Sequence, residues 1–147
     1  MYNTINKYKD FDDNNSVIHT CYFAHSMQYY NTNIEKKIIE KLSKKYHVLN
    51  PNELNLGHNM MSYIDVVYNS DIVVYHGNTV GVAFEVLSAM AFNKPVMNVD
   101  LKYIPKKDLN QFRFVFKNSK YAYKNMLEFK YAYPDYANIF NEIIEGA

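Results

Sequence analysis

The stretch Val80-Gly81-Val82-Ala83-Phe84-Glu85-Val86-Leu87-Ser88-Ala89-Met90-Ala91-Phe92 holds one ionisable side chain among apolar and small residues. A helix that is apolar on all sides is a buried helix. A buried carboxylate is costly unless it is paired or put to use. Glu85 is therefore the first candidate for chemistry. A carboxylate near a helix start can attack an anomeric carbon, where the transition state carries oxocarbenium-like positive charge, or it can hold a sugar hydroxyl. A Glu in the early turns is also favoured by the helix dipole while pointing to solvent. The missing polar face of this run argues for the functional use. Gly81 removes a side chain where a ligand would approach the backbone.

Other candidates are weaker. His25 could protonate a leaving base or bind phosphate, since histidine titrates near neutrality, or it is a polar surface residue. Tyr29 and Tyr30 could stack on a base or simply pack. His19 alternates within an apolar run and reads as structural; Asp71 opens a strand and reads as fixing local turns. His47, His58 and His76 show no metal-ligand spacing with carboxylates, so no metal site is expected. Cys21 is the only cysteine. It allows no intrachain disulfide or thiolate cluster and reads as a buried, inert thiol.

The elements that must position these residues alternate. Residues 17–24 are mostly β-formers in a run too short for a typical helix, and read as a buried strand. A polar loop, 25–32, follows. Thr32 or Asn33 can cap a helix to about residue 45, with Ile34, Ile38, Ile39 and Leu42 on one face and Glu35, Lys36, Lys37, Glu40 and Lys41 as a solvated outer face. Residues 46–49 form a second strand stopped by Asn50-Pro51-Asn52, 53–58 a loop, and 59–69 a helix. Residues 71–75 form the clearest strand, and 76–79 turn into the helix of Glu85. A fourth strand at 96–99, a fifth at 113–116 and a closing helix at 134–145 complete the chain.

Strand and helix alternating at this spacing imply right-handed crossovers and a parallel sheet covered on both faces. The expected fold is α/β, a flavodoxin- or Rossmann-like three-layer sandwich with a five-stranded, mostly parallel sheet of order 2-1-3-4-5. Ligands in such sheets bind beyond the carboxyl ends of the strands, near the switch point. That gathers Ala24, His25 and Ser26, the turn containing Gly77 and Thr79, and the helix of Glu85 around one crevice.

The totals fit this reading. With 147 residues, 48% hydrophobic and 21% charged, the chain suits one globular domain, expected at 17–147 behind a flexible lead-in at 1–16. Sixteen basic against fifteen acidic residues leave a net charge of +1, too balanced for a nucleic-acid-coating surface. No apolar stretch approaches the roughly 20 residues that span a bilayer, and the start lacks the apolar core of a secretory signal. A cytoplasmic protein without membrane or nucleic-acid partners is expected.

Ser70-Asp71-Ile72-Val73-Val74, then Gly81-Val82-Ala83-Phe84-Glu85, then Lys94-Pro95-Val96 resemble the core signature of the nucleoside 2-deoxyribosyltransferase superfamily, which includes the 2′-deoxynucleoside 5′-monophosphate N-glycosidases and related cytidylate hydrolases. Tyr22-Phe23-Ala24-His25-Ser26 resembles its opening strand and first phosphate- or sugar-facing loop. The likeness covers roughly residues 17–100. It implies that Glu85 attacks C1′ of the sugar, displaces the base and forms a glycosyl-enzyme that water or a second base resolves. It implies no metal or organic cofactor. The position six before the Glu tends to be Asp in the nucleoside transferases and a phosphate-binding Ser in the monophosphate hydrolases; here it is Thr79. Thr79 could equally be a helix N-cap. As a hydroxyl it tilts the substrate toward a nucleotide, whose phosphate Ser26 and nearby N–H groups could share.

One position departs from the family. Its acid/base Asp falls eight residues before the strand Asp, and here that residue is Tyr63. Either Asp65 serves from a shifted helix, or Tyr63 takes part of the role, or the glycosidase chemistry is lost. The family's members are oligomers, so a homodimer or larger assembly is implied, with Tyr121, Tyr123, Tyr131, Tyr133 and Tyr136 as an interface. The expectation is an enzyme cleaving the N-glycosidic bond of a small nucleoside or nucleotide, with Tyr22 and Tyr63 lining the pocket and Asp65 or His25 assisting with protons. The alternative is an inactive nucleotide-binding or nucleotide-sequestering module on the same fold.

Overall fold

In the computed structural model of this chain, residues 10–11 and 17–146 are described. Strands β1 (Asp10–Phe11) and β2 (Val17–Ile18) form a short antiparallel pair. The main sheet is built on β3 (Thr20–His25), whose six residues are all buried. Strand side chains alternate between faces: Tyr22 and Ala24 join one core, Cys21 and Phe23 the other. Burial on both faces explains why this run reads as continuously apolar.

β3 pairs in parallel with β4 (His47–Leu49) on one side and β5 (Ile72–His76) on the other, and β5 pairs in parallel with β6 (Val96–Met97). The fold is thus α/β, with an open parallel sheet of four strands in which the first lies between the second and the third. Asp71 stitches the two central strands at their start: its carboxylate accepts from the Thr20 N–H at 2.8 Å and from the Thr20 hydroxyl at 3.2 Å.

Among the described helices, α1 (Asn33–Ser43) covers one face, with Leu42 fully buried and Ile38 and Ile39 half-buried on Phe23 and Val74. Thr32 caps it, its hydroxyl accepting from the Glu35 N–H. Helices α2 (Pro51–Leu54), α3 (Met60–Tyr68), α4 (Val80–Ala91), α5 (Lys106–Lys117), α6 (Ala122–Ala132) and α7 (Ala137–Glu145) follow in chain order. α3 to α7 contribute to the core on the other face, where Phe84, Phe116, Phe129 and Phe140 pack together with Phe129 and Phe140 stacked at 4.0 Å. α4 is central to that layer and buried along most of its length, as its composition requires.

Several sequence expectations are corrected. Residues 113–116 are not a fifth strand but the end of α5, where Phe112 and Phe116 face the core and Phe114 faces solvent. The expected first strand is broken at the exposed His19, between β2 and β3. The fourth strand is two residues long, and the closing helix begins at Ala137 after a 3-10 turn, Pro134–Tyr136. Of the lead-in, Asp10–Phe11 is a strand; the rest, 1–9 and 12–16, lies outside the described residues. No described helix is long and apolar enough to cross a membrane.

Candidate active site

β3 and β5 end side by side, His25 opposite His76. Beyond those ends lies a cavity of about 640 Å³, within the range of small-molecule sites. Its walls come from the 3-10 turn Met27–Tyr29, α2, the loop into α3, and the first turns of α4. Glu85 is the only carboxylate among its lining residues.

Glu85 sits in the second turn of α4, partly exposed to the cavity. The Tyr22 hydroxyl donates to its Oε2 at 2.5 Å. Burial raises the Glu85 carboxyl to about 8, with the Tyr22 hydrogen bond pulling the other way. Tyr22 is itself wholly buried, and burial, followed by the Glu85 charge and their hydrogen bond, keeps its phenol protonated. It stays a donor. Tyr30 also lines the cavity; burial and then the Glu85 charge push it up to about 12.

His25 does not present a free nitrogen. Its Nδ1 lies 2.8 Å from the Phe23 carbonyl, which can only accept, so Nδ1 carries a proton. Its Nε2 lies 2.7 Å from Glu35 Oε2. Glu35, expected on a solvated face, is instead 5% exposed. Its carboxylate also accepts from the Asn31 N–H at 3.0 Å and the Asn52 side-chain amide at 3.3 Å. Burial alone would raise Glu35; hydrogen bonds from His25, Asn31 and Asn52, with the His25 charge, outweigh it and hold the carboxyl below its ordinary value. The histidine therefore acts as a brace between β3, α1 and α2.

Thr79 occupies the N-cap position of α4 but makes no side-chain cap bond. Its exposed hydroxyl lines the cavity beside Val80 and Gly81. Ser26 is buried against Gly77 and its hydroxyl has no hydrogen-bond partner among the described residues. Gly77 has φ +96°, and a Cβ there would lie 2.1 Å from Ser26 Oγ. Gly77→Ala is therefore expected to destabilise the fold by on the order of 2 kcal/mol or more, roughly 4–8 °C in thermal denaturation. An unchanged melting temperature would mean that the turn relaxes freely.

Tyr63 lines the cavity and clamps its rim: the phenol accepts from the Leu56 N–H and donates to the Gly57 carbonyl, each at 3.1 Å. Asp65 is not brought to Glu85. It is exposed, and its carboxylate receives the Tyr133 hydroxyl. Two positions along a helix change the face, and Tyr63 holds the one toward the site. Ala24 lies wholly in the core behind the site. His76 packs its ring on Tyr29 at 4.5 Å. Of the expected interface tyrosines, Tyr121 lines the cavity, Tyr123 and Tyr131 are exposed, and Tyr133 and Tyr136 pack on Tyr68 and Phe92.

Asn52, Met60 and His58 also line the cavity and were not singled out for it in the sequence. Asn52 belongs to a short helix hidden in what reads as a strand stop: Asn50 caps it, accepting from the Asn52 N–H at 3.0 Å, and Pro51 takes its first turn. Among the described residues no cluster of three His, Cys, Asp or Glu could hold a metal ion. Compared with known protein families, curated proteins and solved structures, the chain matches none.

Proposed function

We propose that this chain cleaves the N-glycosidic bond of a nucleoside or nucleoside 5′-monophosphate, with Glu85 as the nucleophile at C1′. The observation that carries the reading is a lone carboxylate lining a nucleotide-sized cavity, oriented by a buried phenol on Oε2, with no hydrogen bond among the described residues on Oε1. Attack by Oε1 on C1′ forms a glycosyl ester as the C1′–N bond breaks; water, or a second base, then displaces the carboxylate. Tyr22 fixes the rotamer and stabilises the charge that returns to Glu85 on release of the sugar. The likeness of residues 17–100 to the nucleoside 2-deoxyribosyltransferase superfamily supports the same reading, as does a sheet order fitting a flavodoxin- or Rossmann-like sandwich. In keeping with it, we place the protein in the cytoplasm as a homo-oligomer, with exposed Tyr123 and Tyr131 as contacts.

A 5′-phosphate fits the start of α4, where N–H groups without helical partners face the ligand and the Thr79 hydroxyl is not spent on capping. Gly81 tests the close approach. A Cβ there meets only Met60 Cε, at 4.0 Å, so Gly81→Ala should leave the melting temperature unchanged or slightly higher. It should weaken nucleoside monophosphate binding about tenfold (~1.4 kcal/mol) in a titration. Unaltered affinity would remove Gly81 from the site.

The deciding experiment is free-base release, followed by chromatography, from a panel of nucleosides and their 5′-monophosphates, with Glu85→Ala as control. Release lost in the variant supports the glycosidase. A second reading has one observation in its favour: with its carboxyl raised to about 8, Glu85 is largely a neutral acid at pH 7, able to both donate to and accept from ribose hydroxyls. That suits a nucleotide-binding module. Tight binding of a panel member with no base release would select it.

A further inference from the structure

A glycosidase of this kind needs a proton for the departing base, and none of the residues expected to give it is placed to do so. Asp65 faces away, into a hydrogen bond from Tyr133. His25 has both ring nitrogens engaged, by Phe23 and Glu35. Tyr63 is tied into the rim, and a phenol is in any case a far weaker acid than an imidazolium. The remaining nitrogen acid on the cavity wall is His58.

His58 sits in a loop held on both sides. Before it, Leu56 and Gly57 are clamped by the Tyr63 hydroxyl, and Gly57 takes φ +83°. After it, Asn59 caps α3, its side chain accepting from the Met61 N–H at 3.0 Å. An exposed histidine on a free loop would carry little weight. This one is exposed too, but the backbone on both sides of it is held at the cavity wall, and no hydrogen bond or ion pair falls on its ring among the described residues.

Resting on the glycosidase reading, we propose that His58 is the general acid for the leaving base. As the C1′–N bond breaks, its electron pair stays with the base, and the imidazolium of His58 gives its proton to a ring nitrogen. Glu85 Oε1 meanwhile bonds to C1′. In the second half, neutral His58 takes a proton from the attacking water as oxygen bonds to C1′ and Glu85 leaves as carboxylate. The sum is nucleoside 5′-monophosphate plus water giving free base and sugar 5′-phosphate, or nucleoside plus water giving free base and sugar. The Tyr63 clamp makes Tyr63 a positioning residue for His58.

The test compares His58→Gln with the wild-type chain on two leaving groups. One is the panel substrate whose base the wild type releases fastest; the other is the 4-nitrophenyl glycoside of the same sugar, whose phenolate departs without a proton. The expected result, read in kcat/KM so that only the first half is compared, is a loss of about 10²-fold or more on the natural base, partly restored by imidazole in the buffer, and less than about threefold on the aryl glycoside, whose kcat falls with the shared second half. Equal loss on both, no loss on the natural base, or no rescue by imidazole would overturn the assignment. Where the wild type does not accept the aryl glycoside, imidazole rescue alone decides. If the wild type releases no base from any panel member, the glycosidase reading falls and this role with it; if it does and His58→Gln releases base equally well, only the role falls.

Discussion

Glu85→Gln is expected to abolish base release and, at the same time, to make the protein more stable. The amide cannot act as a nucleophile, so turnover should fall by a factor on the order of 10⁴. Its carbonyl can still accept from Tyr22, so the rotamer and the cavity should survive and ligand binding should persist. The stability gain follows from the same burial that raises the carboxyl from its ordinary 4.5 to about 8. The folded chain holds that proton more tightly than the unfolded one. Unfolding therefore releases a proton between about pH 4.5 and 8, and the wild-type stability falls as pH rises across that window. The variant lacks this titration. It should melt higher at pH 8.5, by up to about 5 kcal/mol or roughly 10–20 °C if the whole shift is realised, with the difference shrinking toward pH 4.5. Base release by the wild type should lose kcat/KM toward acid as Glu85 takes up its proton, and lose it again toward alkali as the proton donor of the leaving base is spent, giving a bell-shaped profile. A variant that melts like the wild type at every pH would mean that Glu85 is solvated, and the case for a costly, retained carboxylate would collapse.

What the sequence made legible is what local periodicity controls. Alternating short apolar runs and capped amphipathic segments gave β3, α1, β4, α3, β5 and α4, and with them the crevice at the ends of β3 and β5. Glu85 stood out because one charge in an apolar helix is visible without any tertiary information. The fifth strand failed for a physical reason. Arg113-Phe114-Val115-Phe116 is rich in β-formers over four residues, but Leu109, Phe112 and Phe116 recur at helical spacing across the longer span that α5 occupies. Only the longer window shows it. The acid/base position could not be resolved by counting, because Tyr63 and Asp65 differ by two residues and so by the face they present.

Glu35 was hidden differently. It lies in a run of charges that normally marks a solvated face, and its burial depends on His25 and Asn52, which are 10 and 17 residues away. One local sign was present: Thr32 and Glu35 have the spacing of a capping box. In that arrangement the Glu turns back over the helix start, and here it reaches the Asn31 N–H. His58 left no sign of its role at all. A histidine in a polar loop gains meaning only from the Tyr63 clamp and the Asn59 cap, and both are contacts that need the folded chain.

Glu35→Gln is the variant expected to damage the fold most among those that leave the cavity walls intact. It removes the charge opposite His25, whose side chain is fully buried. Breaking a buried pair from one side is worse than never having made it, because the remaining partner stays desolvated. The loss should be about 3 kcal/mol, or roughly 6–12 °C. Its pH dependence has the opposite sense to that of Glu85. The Glu35 carboxyl is held below its ordinary 4.5, so the pair contributes fully above that value and fades as pH falls through the folded one. Wild type and variant should therefore converge in acid and separate toward neutrality. His25→Gln combined with Glu35→Gln should cost less than the sum of the two single changes by about 2 kcal/mol, since each single change already forfeits the shared interaction. Strict additivity would mean that the two groups are screened from each other. Coupling would instead place the rigidity of the site in this brace, which joins the end of β3 to α1 and, through Asn52, to the cavity wall.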